Sequence, residues 1–462
     1  MAGRTLNVAI VGGGPGGLGT AISLSRLPFL NVTLYEKHLE PREAGAGISL
    51  STNAWKVLDL LGASDGVKGG SKANTHHRNA YSGNLLNVTA NPENSKGHSR
   101  GAIRARRTRL QSALLRKVPD GVIQFRKKLV RLENLPENED EKENQKNGVR
   151  LIFEDQTEAF ADLVVGADGI HSVVRKTLFP AHDLHFTGNT AFRVLVPKAR
   201  LAERGLEDIT ATTSWWWGKA GHLYFSDVDD TEEEERSVNP NPLFEITIRS
   251  YAEPDTPGTT VPWGIPASNQ KVAARVEEYD KRIRDAVDTV QEGDWKEFAT
   301  FAGPPLEHIT GWGKVALIGD ASHPLSGAFG SGATFAMEDG WILARALEYA
   351  YQKHAPSKLN RATQEALEIL EQIRAPYYAQ MYAHLDESRE KLQQIQAENG
   401  DADFDAILRN KIDVFLYGDK DFIYKNDIQK VWEDYVIQKW QQQSTMSNMH
   451  PRKQQPFITQ TL

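Results

Sequence analysis

The stretch that most limits what this chain can fold into is residues 7–37, NVAIVGGGPGGLGTAISLSRLPFLNVTLYEK. Residues 8–11 form a short apolar, β-branched run, the pattern of a buried parallel strand. Gly12, Gly14 and Gly17 then fit G-x-G-x-x-G, and residues 18–27 continue with helical spacing. A second strand at 32–35 ends at Glu36, nineteen positions beyond Gly17. Strand, glycine turn, helix, strand, acid is the context in which this fingerprint predicts dinucleotide binding. Gly12 permits the tight turn. Gly14 lets the backbone approach a pyrophosphate at the helix N-terminus, and Gly17 lets helix and strand pack closely. Glu36 is placed to accept hydrogen bonds from a ribose. The competing reading is a glycine-rich turn of purely structural use.

With 462 residues the chain exceeds one compact core, so two domains, or one domain with an appendage, are expected. A net charge of −7 gives no support for a nucleic-acid partner. With no cysteine there is no disulfide, no thiolate metal site and no cysteine nucleophile. The first strand begins within about ten residues and no signal-peptide pattern precedes it. No apolar run approaches the ~18 residues of a membrane span. The expectation is a cytoplasmic protein, monomer or homodimer, with no metal site.

Further along, residues 41–62 bring Arg42, a candidate phosphate or ribose contact, then Gly45 and Gly47, then Asn53 as the cap of a helix carrying Val57, Leu58, Leu60 and Leu61. Residues 68–99 are polar and turn-rich, with an alternating run at 85–88, and read as an excursion from the nucleotide fold. Residues 102–118 read as one helix opening with Arg104, Arg106, Arg107 and Arg109. Beside a dinucleotide site these arginines suggest phosphate neutralisation, although a solvated face is the alternative. Residues 135–147 read as a solvated hairpin or loop. At 162–175, DLVVGADGIHSVVR, a strand delivers Asp168 to a second strand-to-helix turn. There it binds ribose, orients the pyrophosphate loop, or simply caps the helix.

From 186 to 251 the period changes to two, predicting antiparallel strands of a separate sheet. Arg193 shares a strand face with Ala191 and Leu195, while His222, Tyr224 and Ser226 share another face. The Trp215–Trp217 triplet reads as core or sheet support, and the acidic 231–236 run as a loop. A helix over 271–290 follows. At 313–347 an apolar strand runs into Gly319 and Asp320. A loop with Gly327, Gly330 and Gly332 then leads to a helix whose N-terminal amides suit an anion or a polarisable ring oxygen. His323, next to Pro324, reads as a structural turn residue. Beyond Pro376 the chain becomes helical to about residue 443, with a polar tail.

Three motifs in this order, G12-G-G-P-G-G17, D162LVVGADGIHSVVR175 and G319DASHP324, resemble the class A FAD-dependent aromatic hydroxylases, the para-hydroxybenzoate hydroxylase class. The match is closest to the salicylate hydroxylase-like branch. The resemblance spans about residues 7–347 and continues weakly to 440. It implies an α/β fold: a Rossmann-like FAD-binding domain, an inserted antiparallel β-sheet substrate domain and a C-terminal helical extension. The FAD-binding domain is expected at 1–73, 100–180 and 288–375, the substrate domain at 74–99 and 181–287, and the extension at 376–462. The resemblance further implies FAD, with Glu36 on the adenosine ribose, Arg107 near the pyrophosphate and Asp168 at the pyrophosphate and nicotinamide side. It places Asp320 on the ribityl chain, Gly332 and Ala333 beside the isoalloxazine, and Gly47 in the loop beneath the adenosine and ribityl region. Arg193 matches an arginine that relatives use near the substrate.

The chain departs from its relatives at Gly327, where a second proline is usual, at Ser331, often Gln, and at Ser226, commonly aromatic, a role Tyr224 is placed to take. What the resemblance implies for chemistry is reduction of FAD by NADH or NADPH, addition of O2 to give a flavin hydroperoxide, and transfer of OH to a phenolic or hydroxybenzoate-like ring, with or without loss of CO2. Arg193 would favour the phenolate, with Tyr224 or His222 relaying the proton. A single G-x-G-x-x-G leaves the nicotinamide to dock transiently. Two other functions fit the same scaffold: an epoxidase or Baeyer–Villiger oxygenase on a non-aromatic substrate, and a non-catalytic FAD-binding interaction module.

Overall fold

The strand Leu6–Val11 is hydrogen-bonded on both sides, parallel to Leu30–Tyr35 and parallel to Leu163–Gly166. Val315–Leu317 extends this sheet in parallel beyond Leu163–Gly166, and Ile123–Gln124 extends it beyond Leu30–Tyr35. Alternate residues serve two cores. Val8 and Ile10 pack with the helices Pro15–Leu24 and Gly332–His354, while Ala9 and Val11 pack with a three-stranded antiparallel sheet carrying Leu132, Leu151 and Phe153. Burial of both faces is why these strands read as unbroken apolar runs. This is a computed structural model, and it describes residues 5–39, 47–71, 74–90, 101–135, 148–219, 221–229, 239–251, 263–325, 327–354, 358–398, 403–416 and 418–447. Arg42, Gly45 and the acidic 231–236 run lie outside the described residues, as does 136–147.

A second sheet has eight strands. Its spatial order is Trp263–Pro266, Lys296–Ala302, His185–Pro197, Leu243–Tyr251, Gly221–Asp227, Thr213–Gly218, Asn74–Asn79 and Leu85–Ala90. The turn-rich excursion after residue 68 thus supplies two strands of this sheet. All its pairs are antiparallel except Thr213–Gly218 with Asn74–Asn79, which is parallel, so the sheet is mixed and not purely antiparallel as expected. It also runs past residue 287, because Lys296–Ala302 pairs with His185–Pro197. One face buries Phe192, Val194, Leu223, Phe225 and Ile246 under short helices that include Asn269–Ala273 and Lys281–Asp288. Trp216 joins this core, whereas Trp217 points to the other face, towards Leu408 and Ile412.

Several expected elements differ. The 102–118 helix is a strand, Ile103–Arg106, paired with Gly47–Leu50, followed by a helix that starts at Arg107. The 271–290 helix is two helices, because the Asp280 side chain accepts from the Arg282 amide and caps a new start at Lys281. Ser51, not Asn53, is the N-cap of Thr52–Leu61, and Asn53 instead donates to the Ile423 carbonyl at 2.8 Å. Helical structure at the C-terminus begins before Pro376: Leu359–Glu398 runs through it. Phe404–Leu416 and Ile428–Ser447 follow. Among the described residues no helix is long and apolar enough to cross a membrane.

Candidate functional site

The glycine turn is tight for stated steric reasons. Gly12 sits at φ +108°, and a Cβ on Gly17 would fall 1.9 Å from the Gly12 carbonyl oxygen, so a side chain there would force helix and strand apart. A Cβ on Gly14 would meet nothing within 4 Å, which leaves open space over the start of the helix. Glu36 stands at the end of its strand and accepts from the amides of Gly13 at 2.6 Å and His38 at 2.8 Å. A carboxylate has further lone pairs, so it can still accept from a ribose. Asp168 accepts from the Ser172 hydroxyl at 2.5 Å and the Val173 amide at 2.7 Å, while Ser172 is the N-cap of the following helix and accepts from the Arg175 amide at 2.9 Å. It shapes the turn at the mouth of the sheet, with both oxygens already engaged.

Asp320 follows the last strand and its carboxylate opens onto the start of the helix Gly332–His354; a Cβ on Gly332 would lie 3.5 Å from Oδ1. No side-chain or backbone donor among the described residues reaches this carboxylate. The protein packed around this exposed side chain raises its pKa by desolvation, opposed by the charges of Arg107 and Arg175. An accessible carboxylate without a donor, a cation beside it, an open glycine turn and a helix N-terminus fit a hydroxyl-bearing dinucleotide such as FAD. Asp320 would hold the ribityl hydroxyls and Arg107 the phosphate side.

The four arginines divide their labour. Arg104 binds Glu245 through Nε at 2.6 Å and Nη2 at 2.8 Å, and reaches Ser49 Oγ at 2.8 Å. Arg106 and Arg109 both pair with Asp229. These three lock the parallel-sheet part of the molecule to the eight-stranded sheet. Gly47 lies where a Cβ would come within 2.5 Å of Glu245 Oε2 and 2.6 Å of Arg104 Nε, so it admits that ion pair. Arg107 alone of the four makes no ion pair among the described residues, and its charge reaches both Asp320 and Arg193.

Arg193, Thr247, Tyr224 and Trp215 are register partners across four strands, and Ala191, Arg249, His222 and Trp217 form the next row. Directly paired residues point to the same side. Arg193 therefore shares one face with His222, Tyr224 and Ser226, a correction to the two faces expected. That face turns towards Arg107 and the loop before Gly332. Arg249 Nη2 lies 3.3 Å from where a Gly327 Cβ would be. Burial lowers the Arg193 pKa to about 9, and the charges of Arg249, Arg104 and Arg107 push the same way against Glu245. Among the described residues its Nε has no hydrogen-bond partner. Burial, then Arg249, lowers His222 to about 3, so its imidazole is neutral near pH 7. Burial raises Tyr224, which stays protonated, and the Arg104 guanidinium lies 5.2 Å from its ring centre. Glu245 would be raised by burial, but Arg104 outweighs this and keeps it ionised.

His323 is buried, stacked on Tyr378 at 3.5 Å between ring centres, and lowered by burial to about 3. Behind Asp320, Arg374 donates to Asp339 at 2.6 Å and Glu338 at 3.1 Å, and Asp339 accepts from the Gly319 amide at 2.9 Å. Ala333 follows Gly332 in the first turn of the same helix. The sequence reading missed Arg249, Glu245 and Asp339. Alternation along 243–251 would have placed Glu245 and Arg249 on one face, but only the register sets that face opposite the glycine loop.

Residues 5–375 match the family model described as "FAD binding domain". The chain belongs to that family and is a flavoprotein of the FAD-dependent monooxygenase kind. Salicylate hydroxylase from Pseudomonas putida is 28% identical over 74% of this chain and 76% of its own length. The dual trans-enoyl reductase/FAD-dependent monooxygenase tazHJ from Aspergillus terreus is 29% identical over 77% of this chain, which spans 49% of that protein. A solved structure described as a salicylate hydroxylase substrate complex superposes with a TM-score of 0.68 at 24% identity, covering 93% of this chain and 97% of that one, and shares the fold.

Proposed function

We propose that this cleft hydroxylates a phenolic or hydroxybenzoate-like ring, placing one oxygen atom of O2 on it at the expense of NADH or NADPH. The observation that carries the reading is the approach of Arg249 Nη2 to 3.3 Å from where a Gly327 Cβ would be, which sets the polar sheet face against the loop between Asp320 and the helix at Gly332. FAD, when bound, supplies the electron transfer and oxygen activation. Glu36, Asp320, Arg107 and the amides at Gly332 and Ala333 bind and orient it. Arg193 stabilises a substrate phenolate, the more reactive form of the ring, and so lowers its pKa. Tyr224, kept protonated, donates a hydrogen bond to the same oxygen. His222 works as a neutral imidazole, accepting a proton at one nitrogen while donating at the other.

The test is a screen of phenols and hydroxybenzoates for stimulated NAD(P)H oxidation by the FAD-loaded protein, with products identified. At least one ring is expected to give a hydroxylated product. Glu36→Ala should weaken FAD retention by roughly 1–3 kcal/mol, the scale of hydrogen bonds to a charged group. A protein that cannot be reconstituted with FAD removes the basis of the reading.

A further inference from the structure

Two half-buried guanidiniums on the polar sheet face have no acid of their own among the described residues. Glu245 is held in a two-bond pair by Arg104, and neither Arg193 nor Arg249 makes an ion pair among the described residues. Burial, then the Arg104 charge, lowers the Arg249 pKa, as its surroundings favour loss of the proton over an isolated cation. Arg193 and Arg249 sit on adjacent strands in successive rows, since Arg193 pairs with Thr247 and Arg249 with Ala191. Side chains two positions apart on neighbouring strands remain within reach of adjacent groups on one ligand.

The same face becomes aromatic away from the arginines. Tyr224 and Trp215 have ring centres 4.7 Å apart, and Trp215 and His222 are 5.1 Å apart. The wall then ends at Phe415, from the helix Phe404–Leu416, whose ring centre lies 5.0 Å from Trp215 and 5.1 Å from Trp217. Neighbouring strands are about 4.8 Å apart, so the three spacings from the Arg193 strand to the Trp215 strand cover about 14 Å. A benzene ring bearing one carboxylate is shorter than that span. A fused pair of rings fills more of it.

We propose that the site takes an aromatic carboxylate longer than one ring, its carboxylate held by Arg249 beside the phenolate on Arg193 and its apolar end bounded by Phe415. This rests on the hydroxylase reading above. Arg249 then selects the charge and Phe415 the length.

The experiment titrates FAD-loaded protein with salicylate, 1-hydroxy-2-naphthoate and 2-naphthol, following the flavin absorbance change, and then measures NAD(P)H oxidation with each. The naphthoate is expected to bind ~10-fold or more tightly than salicylate, the scale of added apolar contact in a fitted pocket. Arg249→Gln should weaken the naphthoate roughly tenfold or more, as loss of a charged hydrogen bond does, while leaving 2-naphthol within about twofold. Phe415→Ala should weaken the naphthoate several-fold and leave salicylate unchanged. Equal affinity for naphthoate and salicylate, or equal losses for naphthoate and 2-naphthol in Arg249→Gln, would overturn the proposal. Turnover of salicylate without naphthoate binding sinks this inference alone, whereas no stimulation by any phenol sinks the hydroxylase reading beneath it.

Discussion

Enclosing part of a guanidinium without an acid partner is unfavourable, and Arg193 is half-buried with its Nε shut off from solvent and unbonded among the described residues. An anionic ligand explains why such a residue is tolerated. Arg193→Met removes the charge and keeps most of the volume. The variant should fold, retain FAD and lose product formation by ~10²-fold or more, the scale of one charge-stabilising group. Unchanged hydroxylation by the folded, FAD-loaded variant would place the substrate elsewhere. His323 makes a second residue-scale case. Its folded pKa of about 3 lies below the value of an unfolded histidine, so between those limits the unfolded chain binds the extra proton. Its contribution to stability is present above the unfolded pKa and is lost as pH falls towards 3. Urea unfolding between pH 4 and 6 should show a steeper dependence for the wild type than for His323→Phe, by about 1.4 kcal/mol per pH unit. Identical slopes would mean that the buried ring carries a proton. Arg193 was legible in the sequence as an odd cation in an apolar alternation. Arg107 was legible only as one of four arginines, because which of them pair with Glu245 and Asp229 depends on a sheet distant in sequence.

At the scale of elements, the glycine turn and the helix Gly332–His354 are fitted by close approach. A Cβ on Gly16 would lie 2.7 Å from the Ala336 Cβ, and the same would hold for Gly319. Gly17→Ala should cost about 1–3 kcal/mol through forced displacement and release FAD more readily. Thermal melts read with flavin fluorescence check this, and an unaltered melt would mean that the turn relaxes freely. The Gly319–Asp320 turn is pinned from behind by Asp339 and Arg374. Asp339→Asn leaves that buried cation short of an acid and should destabilise by ~3–5 kcal/mol in urea unfolding. The parallel strands and glycine motif could be read directly, because buried strands and tight turns restrict residue type locally. The mistaken helices at 102–118 and 271–290 share one cause: apolar spacing over a few turns cannot distinguish a continuous helix from a strand or turn next to a shorter one.

Taken as a whole molecule, two sheets meet along a seam of Arg104–Glu245, Arg106–Asp229 and Arg109–Asp229. The order of motifs along the chain indicated two sheets and FAD. It could not indicate that Arg249 lies against Gly327 or that Phe415 packs on Trp215, since strand register and the docking of a C-terminal helix are set by long-range packing. The proposed reaction places one atom of O2 on an aromatic ring. It is tested most directly by turning over the FAD-loaded protein with NAD(P)H and a stimulating phenol under oxygen-18 gas, with mass spectrometry of the product. One labelled oxygen per product molecule and one NAD(P)H consumed for each are expected. Unlabelled product, or NAD(P)H oxidation that leaves every phenol unchanged, would contradict it.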